Sequence, residues 1–253
     1  MSSIKFQLSS TAAALVFAPL AALAHGPQVQ IGINNGKLVT TALFADEPYQ
    51  GFAPARRLYE IPLTHRTLAD ANDGWYAQPN ATYPITGPGI ALLDGQFAAG
   101  SKLTVNFVSG LKRWDGTAFV DPGDEQLAVS TTAAFTTSVL TKDAGPFNGI
   151  MTAAVTAAAG EHKTLRWRLL GDGVSPGATS DDGVYLVGLQ LATDQPGVAA
   201  SDPYYFLLRK DASAGDRAAA LGAATALVPE PTGAAATTAV AAAAGLACRR
   251  RHA

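Results

Sequence analysis

The chain is poor in the residues that carry most recognisable chemistry: of 253 residues one is cysteine, two are methionine, four are histidine and 15% are charged. The single cysteine is Cys248, close to the C-terminus, so the rest of the chain has neither a disulfide framework nor a Cys/His zinc spacing. The formal net charge is -2 and no basic stripe interrupts residues 25–210, which argues against nucleic acid as a partner. Gly-rich phosphate loops are absent, and before Asp211 no stretch of the main body sustains a helical period.

What the chain does have is two ends unlike its middle. Met1 to Ala24 carries Lys5, then an apolar run from Thr11 to Leu23, then Ala22-Leu23-Ala24 as a small-x-small cleavage site. That order predicts a secretory signal peptide cut between Ala24 and His25, leaving His25 as the mature N-terminus. At the other end, Val228-Pro229-Glu230-Pro231 is stiff and extended, because each proline fixes φ and biases its predecessor away from helix. Thr232 to Cys248 is uncharged and Ala-rich, and Arg249, Arg250 and Arg251 follow it as positive charge of the kind retained on the cytoplasmic side of a membrane. Seventeen residues at about 1.5 Å each reach roughly 25 Å, short of the roughly 30 Å hydrocarbon core, which suits a transient anchor better than a permanent one.

Pro-Glu-Pro, an apolar span and a terminal Arg cluster, paired with an export signal, resemble the PEP-CTERM sorting signal. The resemblance implies an exported protein of a Gram-negative cell, held transiently in the membrane by its tail and processed by an exosortase-like enzyme. Two internal segments, Gly110 to Phe119 and Asp182 to Leu191 with Ser201 to Tyr205, resemble stretches of secreted PEP-CTERM proteins of planctomycetes, a group without an established activity. This second resemblance supports an exported all-β protein of unknown function and assigns no functional residue.

Between the ends the period is two and the punctuation is Gly, Pro, Asn and Asp, which predicts an all-β fold. Gln28 to Ile33 and Lys37 to Leu43 flank Asn35-Gly36, the pair that suits a type I′ hairpin. Further strands are expected at residues 57–63, 102–108, 117–120, 126–131, 133–140, 150–157, 162–170, 184–192 and 203–209. In Lys163 to Leu169 the alternation sends Leu165, Trp167 and Leu169 to the core and Thr164, Arg166 and Arg168 to the other face. Val184 to Leu191 is apolar at nearly every residue, as in a strand covered on both sides. Turn signals roughly every ten residues predict an antiparallel β-sandwich or jelly-roll-like ectodomain. The expected organisation is a signal peptide over 1–24 and an ectodomain over 25–210, whole or in halves 25–140 and 141–210. A linker or short helix over 211–227 and a sorting signal with its hydrophobic helix over 228–253 complete it.

Chemistry is sparse. Gly173-Val174-Ser175-Pro176-Gly177 spells a nucleophile elbow, but the only later histidine is His252 in the tail, and Pro176 sits where a helix must begin. Asp70, Asp73, Asp121, Asp124, Glu125, Asp181, Asp182 and Asp202 supply carboxylates of the kind used by glycosidase pairs or calcium sites, yet no ordered spacing organises them and turn chemistry explains Asp in such places. No residue is therefore assigned as catalytic. One sharper constellation stands. The free α-amino group and imidazole of a mature His25 chelate a metal, and a second imidazole from His65 or His162 would complete a copper-type histidine brace. A mature His-Gly start resembles some lytic polysaccharide monooxygenases, although no other motif of those enzymes is present.

The sequence thus reads as an exported cell-envelope, cell-surface or extracellular-matrix protein with a structural, adhesive or binding role. Its expected partners are the processing enzyme, the membrane before processing, and extracellular polysaccharide. The alternative is a copper-binding protein or oxidative enzyme built on His25.

Overall fold

The computed structural model of the chain describes residues 28–43, 57–66, 74–77, 88–131, 138–141, 147–152, 154–156, 161–171 and 179–228. Ala24, His25, Pro229, Glu230, Pro231, Arg249, Arg250, Arg251 and the Ser175 loop lie outside the described residues. The strands are β1 (Gln28–Asn34), β2 (Lys37–Leu43), β3 (Leu58–Arg66), β4 (Gly74–Ala77), β5 (Gly89–Leu92), β6 (Leu103–Phe107), β7 (Lys112–Trp114) and β8 (Phe119–Val120). They continue as β9 (Gln126–Ser130), β10 (Ser138–Leu140), β11 (Phe147–Met151), β12 (His162–Lys163), β13 (Arg166–Leu170), β14 (Gly183–Thr193) and β15 (Tyr204–Lys210), and one helix follows, α1 (Ala214–Leu227).

The all-β expectation holds, and the strands fall into two sheets. A four-stranded sheet runs β12-β5-β1-β2, and a large curled sheet runs β10-β9-β13-β4-β3-β15-β14-β6-β11, with β7 and β8 attached beside β14. The β1–β2 connection is the two-residue hairpin that Asn35-Gly36 announces, with Asn34 opposite Lys37 and φ of 50° and 71° at the two turn residues.

Strand direction departs from expectation. The sequence predicts antiparallel pairing throughout, whereas β1 pairs with β5, and β15 with β3, in parallel. Only sequence neighbours joined by tight turns are forced antiparallel. Tyr205 and Leu58, partners in the second pair, are far apart in the chain, and nothing local fixes their relative direction. The two halves also interleave: β13 lies between β9 and β4, and β14 and β15 lie between β3 and β6, so residues 25–140 and 141–210 build one large sheet together.

The stretch expected as a single strand from His162 divides. His162–Lys163 pairs with β5 in the small sheet, and after Thr164 and Leu165 the chain joins the large sheet as β13. Gly89 makes this crossing possible, because a Cβ there would lie 2.6 Å from the Lys163 carbonyl oxygen.

One apolar core draws on both sheets. Val29, Ile31, Leu38, Ile90 and Leu92 of the small sheet pack with Tyr59, Ile61, Trp167, Val187 and Phe206 of the large one. Leu165, Trp167 and Leu169 are each 1% exposed, as the alternation requires. Arg168, expected outside, is also buried, beside Tyr76. Residues 184–189 are buried on both faces: Tyr185, Val187 and Leu189 face the main core, while Val184 and Leu186 face a second cluster beneath α1.

Helix α1 therefore packs on the sheet. Ser213 caps it, its hydroxyl oxygen accepting from the Asp216 N–H at 3.0 Å and its hydroxyl donating to the Asp216 carboxylate at 2.7 Å. Ala220, Ala224 and Val228 form its buried stripe against Leu58, Trp114, Val184, Leu186 and Leu207. Arg217 and Arg209 both pair with Glu60, fixing the start of the helix over β3 and β15.

Candidate functional site

A cleft of about 440 Å³ lies between the β7–β8 hairpin, the start of β14 and the first turn of α1. The hairpin is built by Asp115. Its Oδ1 accepts from the Thr117 N–H at 2.7 Å, the Thr117 hydroxyl at 2.8 Å and the Ala118 N–H at 2.8 Å, while its own N–H donates to the Ala118 carbonyl. Those bonds, from Ala118 first and then Thr117, hold the Asp115 carboxyl below the ordinary carboxylate range. Trp114 is 9% exposed and its ring lies 5.2 Å from that of Phe119.

Four carboxylates line the cleft, Asp115, Asp121, Asp182 and Asp216, against one guanidinium, Arg113, with Val120 and Pro122 as apolar wall. Each carboxylate already has a local role. Asp121 accepts from the Gly123 N–H at 3.0 Å, Asp216 accepts from the Ser213 hydroxyl that caps α1 at 2.7 Å, and Asp182 accepts from Lys210 Nζ at 2.8 Å. The cleft is thus negatively charged and rich in acceptor oxygens, which suits a ligand that brings hydroxyl or ammonium donors.

Behind it, residues 180–182 are pinned from several sides. Glu125, 6% exposed, accepts through Oε1 from the Asp181 N–H at 2.6 Å and the Tyr185 hydroxyl at 2.8 Å. Its other oxygen, Oε2, is buried without a hydrogen-bond partner among the described residues. Arg113 pairs with the Asp181 carboxylate, and Lys210 donates to the Ser180 carbonyl and lies 4.8 Å from the centre of the Trp75 ring. Burial, and then the charge of Glu125, push the Tyr185 phenol far above its ordinary value, so it stays protonated and serves as a donor. The sequence names Glu125, Asp181 and Asp182 among carboxylates of glycosidase or calcium type that turn chemistry also explains. It does not connect them with Arg113, Tyr185 and Lys210, whose approach is set by sheet register.

The histidines are placed apart. His65 is exposed on β3 opposite Trp75, with the two ring centres 5.4 Å apart. His162 is exposed on β12 in the small sheet, opposite Ala91. No group of three or more His, Cys, Asp or Glu side chains able to hold a metal occurs among the described residues, and His25 lies outside them. Among them, too, no helix is long and apolar enough to cross a membrane, and the Thr232 to Cys248 run lies outside them.

No family model matches this chain, and neither a curated protein nor a solved structure matches it.

Proposed function

We propose that this is an exported cell-envelope or extracellular-matrix protein with a structural, adhesive or binding role, sorted by its C-terminal Pro-Glu-Pro tail. The observation that carries this reading is the pairing of two terminal signals in one sequence: a basic residue, an apolar run and a small-x-small site over Met1 to Ala24, and Pro229-Glu230-Pro231 followed by an uncharged run and Arg249, Arg250 and Arg251. We read the two sheets around one core as the layers of a β-sandwich-like ectodomain, and the acceptor-rich cleft beside Trp114 as the surface that meets hydroxyl-bearing extracellular polysaccharide.

Mass spectrometry of the protein recovered from its native cell surface tests this. The expected N-terminus is His25, with no peptide from Arg249 to Ala253. An intact tail on surface protein overturns processing, and retention in the cytoplasm with Met1 to Ala24 attached overturns export.

A further inference from the structure

The cleft beside Trp114 carries four exposed carboxylates, Asp115, Asp121, Asp182 and Asp216, against the one guanidinium of Arg113, which is itself paired with Asp181. Each of the four is oriented through a single oxygen: Oδ1 of Asp115, Asp121 and Asp182 and Oδ2 of Asp216 take the local hydrogen bonds. The other oxygen of each is left as an acceptor. Among the described residues no three such side chains converge to hold a metal ion. The negative charge is spread over the hairpin, the start of β14 and the first turn of α1, and it matches a ligand whose own positive charges are spaced apart.

Two further features point to a sugar. Trp114 lines the cleft, is 9% exposed, and holds a buried indole N–H that has no hydrogen-bond partner among the described residues. A buried donor without an acceptor is costly, and a ligand hydroxyl oxygen supplies the acceptor. Val120, 40% exposed, and Pro122 add an apolar wall that suits the C–H face of a sugar ring. We infer that the cleft selects an amino-sugar polysaccharide with free ammonium groups, which meet the carboxylates while a sugar hydroxyl accepts from Trp114. The inference rests on the reading of this cleft as a polysaccharide surface and adds the charge of the ligand.

The test titrates the full chain, labelled with nitrogen-15, at about pH 5.5, where aspartate is ionised. The probes are a glucosamine oligomer, its fully N-acetylated counterpart, the neutral glucose oligomer of the same linkage and an oligolysine of equal length. The chain has three tryptophans, so each indole N–H signal is separately assignable. The glucosamine oligomer should bind about tenfold more tightly than the acetylated and neutral sugars, the scale of two or more exposed ion pairs. It should also shift the Trp114 indole signal and leave that of Trp167 in place. Asp121→Asn keeps the acceptor for the Gly123 N–H and should weaken binding about threefold, and Asp121→Asn with Asp216→Asn about tenfold. Asp194→Asn, just past the far end of β14, should change nothing. Equal binding of the three sugars, with the Trp114 signal moved, overturns the selection for charge and leaves the polysaccharide surface standing. No binding by any sugar overturns both. Oligolysine binding as tightly as the glucosamine oligomer overturns the sugar assignment. An equal loss in Asp194→Asn, or a Trp114 signal that stays in place while the oligomer binds, overturns the inference by removing the ligand from this cleft.

Discussion

The indole N–H of Trp167 donates to the carbonyl oxygen of Pro88 across 2.7 Å, tying the inner strands of the large sheet to the residue that leads into β5 of the small one. Trp167 is 1% exposed, and its ring meets Phe206 edge-on at 5.2 Å. The bond satisfies a donor that burial between the sheets would otherwise leave costly.

Trp167→Ala should therefore destabilise the domain by about 3–5 kcal/mol, the usual cost of truncating a large buried aromatic side chain. Trp167→Phe should keep part of the packing but orphan the Pro88 carbonyl, for a loss of about 1–3 kcal/mol. Urea denaturation of residues 25–228 checks both, and an unmoved midpoint would place Trp167 outside the core.

How much of this was legible in advance depends on the range of the information. The inner face of β13 follows from alternation alone, since Leu165, Trp167 and Leu169 are two apart. The burial of Arg168 does not, because it depends on Tyr76, Ala128 and Leu170 packing over the opposite face. β4 and β5 have only four residues each, too few for a period to declare itself. The helix over residues 214–227 falls within the 211–227 stretch that reads as linker or short helix, but its packing rests on alanines, whose small faces give little hydrophobic contrast. The cleft was not foreseen at all: Arg113, Asp182 and Asp216 come together only after β7 pairs with β14 and α1 folds back.

Glu125 supplies a second test. Glu125→Ala would leave the Asp181 N–H and the Tyr185 hydroxyl without their shared acceptor, at a cost of about 3 kcal/mol. Glu125→Gln keeps one acceptor oxygen and should cost about 1 kcal/mol. Amide exchange distinguishes a local role from a global one: the Asp181 amide should exchange faster in Glu125→Ala well below the unfolding midpoint, while the Trp167 amide stays protected. Uniform loss of protection would contradict the assignment of Glu125 to residues 180–182.

Acid should unfold the protein in a definite window. Lys37, through its hydrogen bond, and Arg57 beside it hold the Asp202 carboxyl below its ordinary value, despite some burial. Burial pushes the Glu161 carboxyl up, but the Lys163 ammonium and the Thr156 N–H outweigh it and leave that group lowered as well. A carboxyl lowered by folding contributes stability above its unfolded pKa and loses it as pH falls through the folded one. The urea midpoint should therefore be flat from about pH 7 to 5 and fall below about pH 4. Asp202→Asn should cost about 0.5 kcal/mol at neutral pH, as exposed ion pairs do, and make the acid limb shallower. An unchanged acid limb would mean that Asp202 is equally paired in the unfolded chain.

The histidine brace makes the last prediction. A brace uses the amino group itself as a ligand, so mature protein beginning at His25 should bind Cu(II), and one extra alanine before His25 should weaken that binding sharply if the amino group ligates. The second imidazole is where the two readings part. His65 stands on the large sheet against Trp75 and His162 on the small sheet opposite Ala91, and a brace takes one second imidazole. Under the structural or binding role, isothermal titration should give the modest Cu(II) affinity of any exposed N-terminal histidine, with no further loss in His65→Ala or His162→Ala and no oxidation of polysaccharide. A loss of tenfold or more in one of those two variants and not in the other would identify the missing ligand. It would also move the protein from envelope component to copper carrier or oxidative enzyme, because a surface histidine with no share in the site has no means of producing that asymmetry.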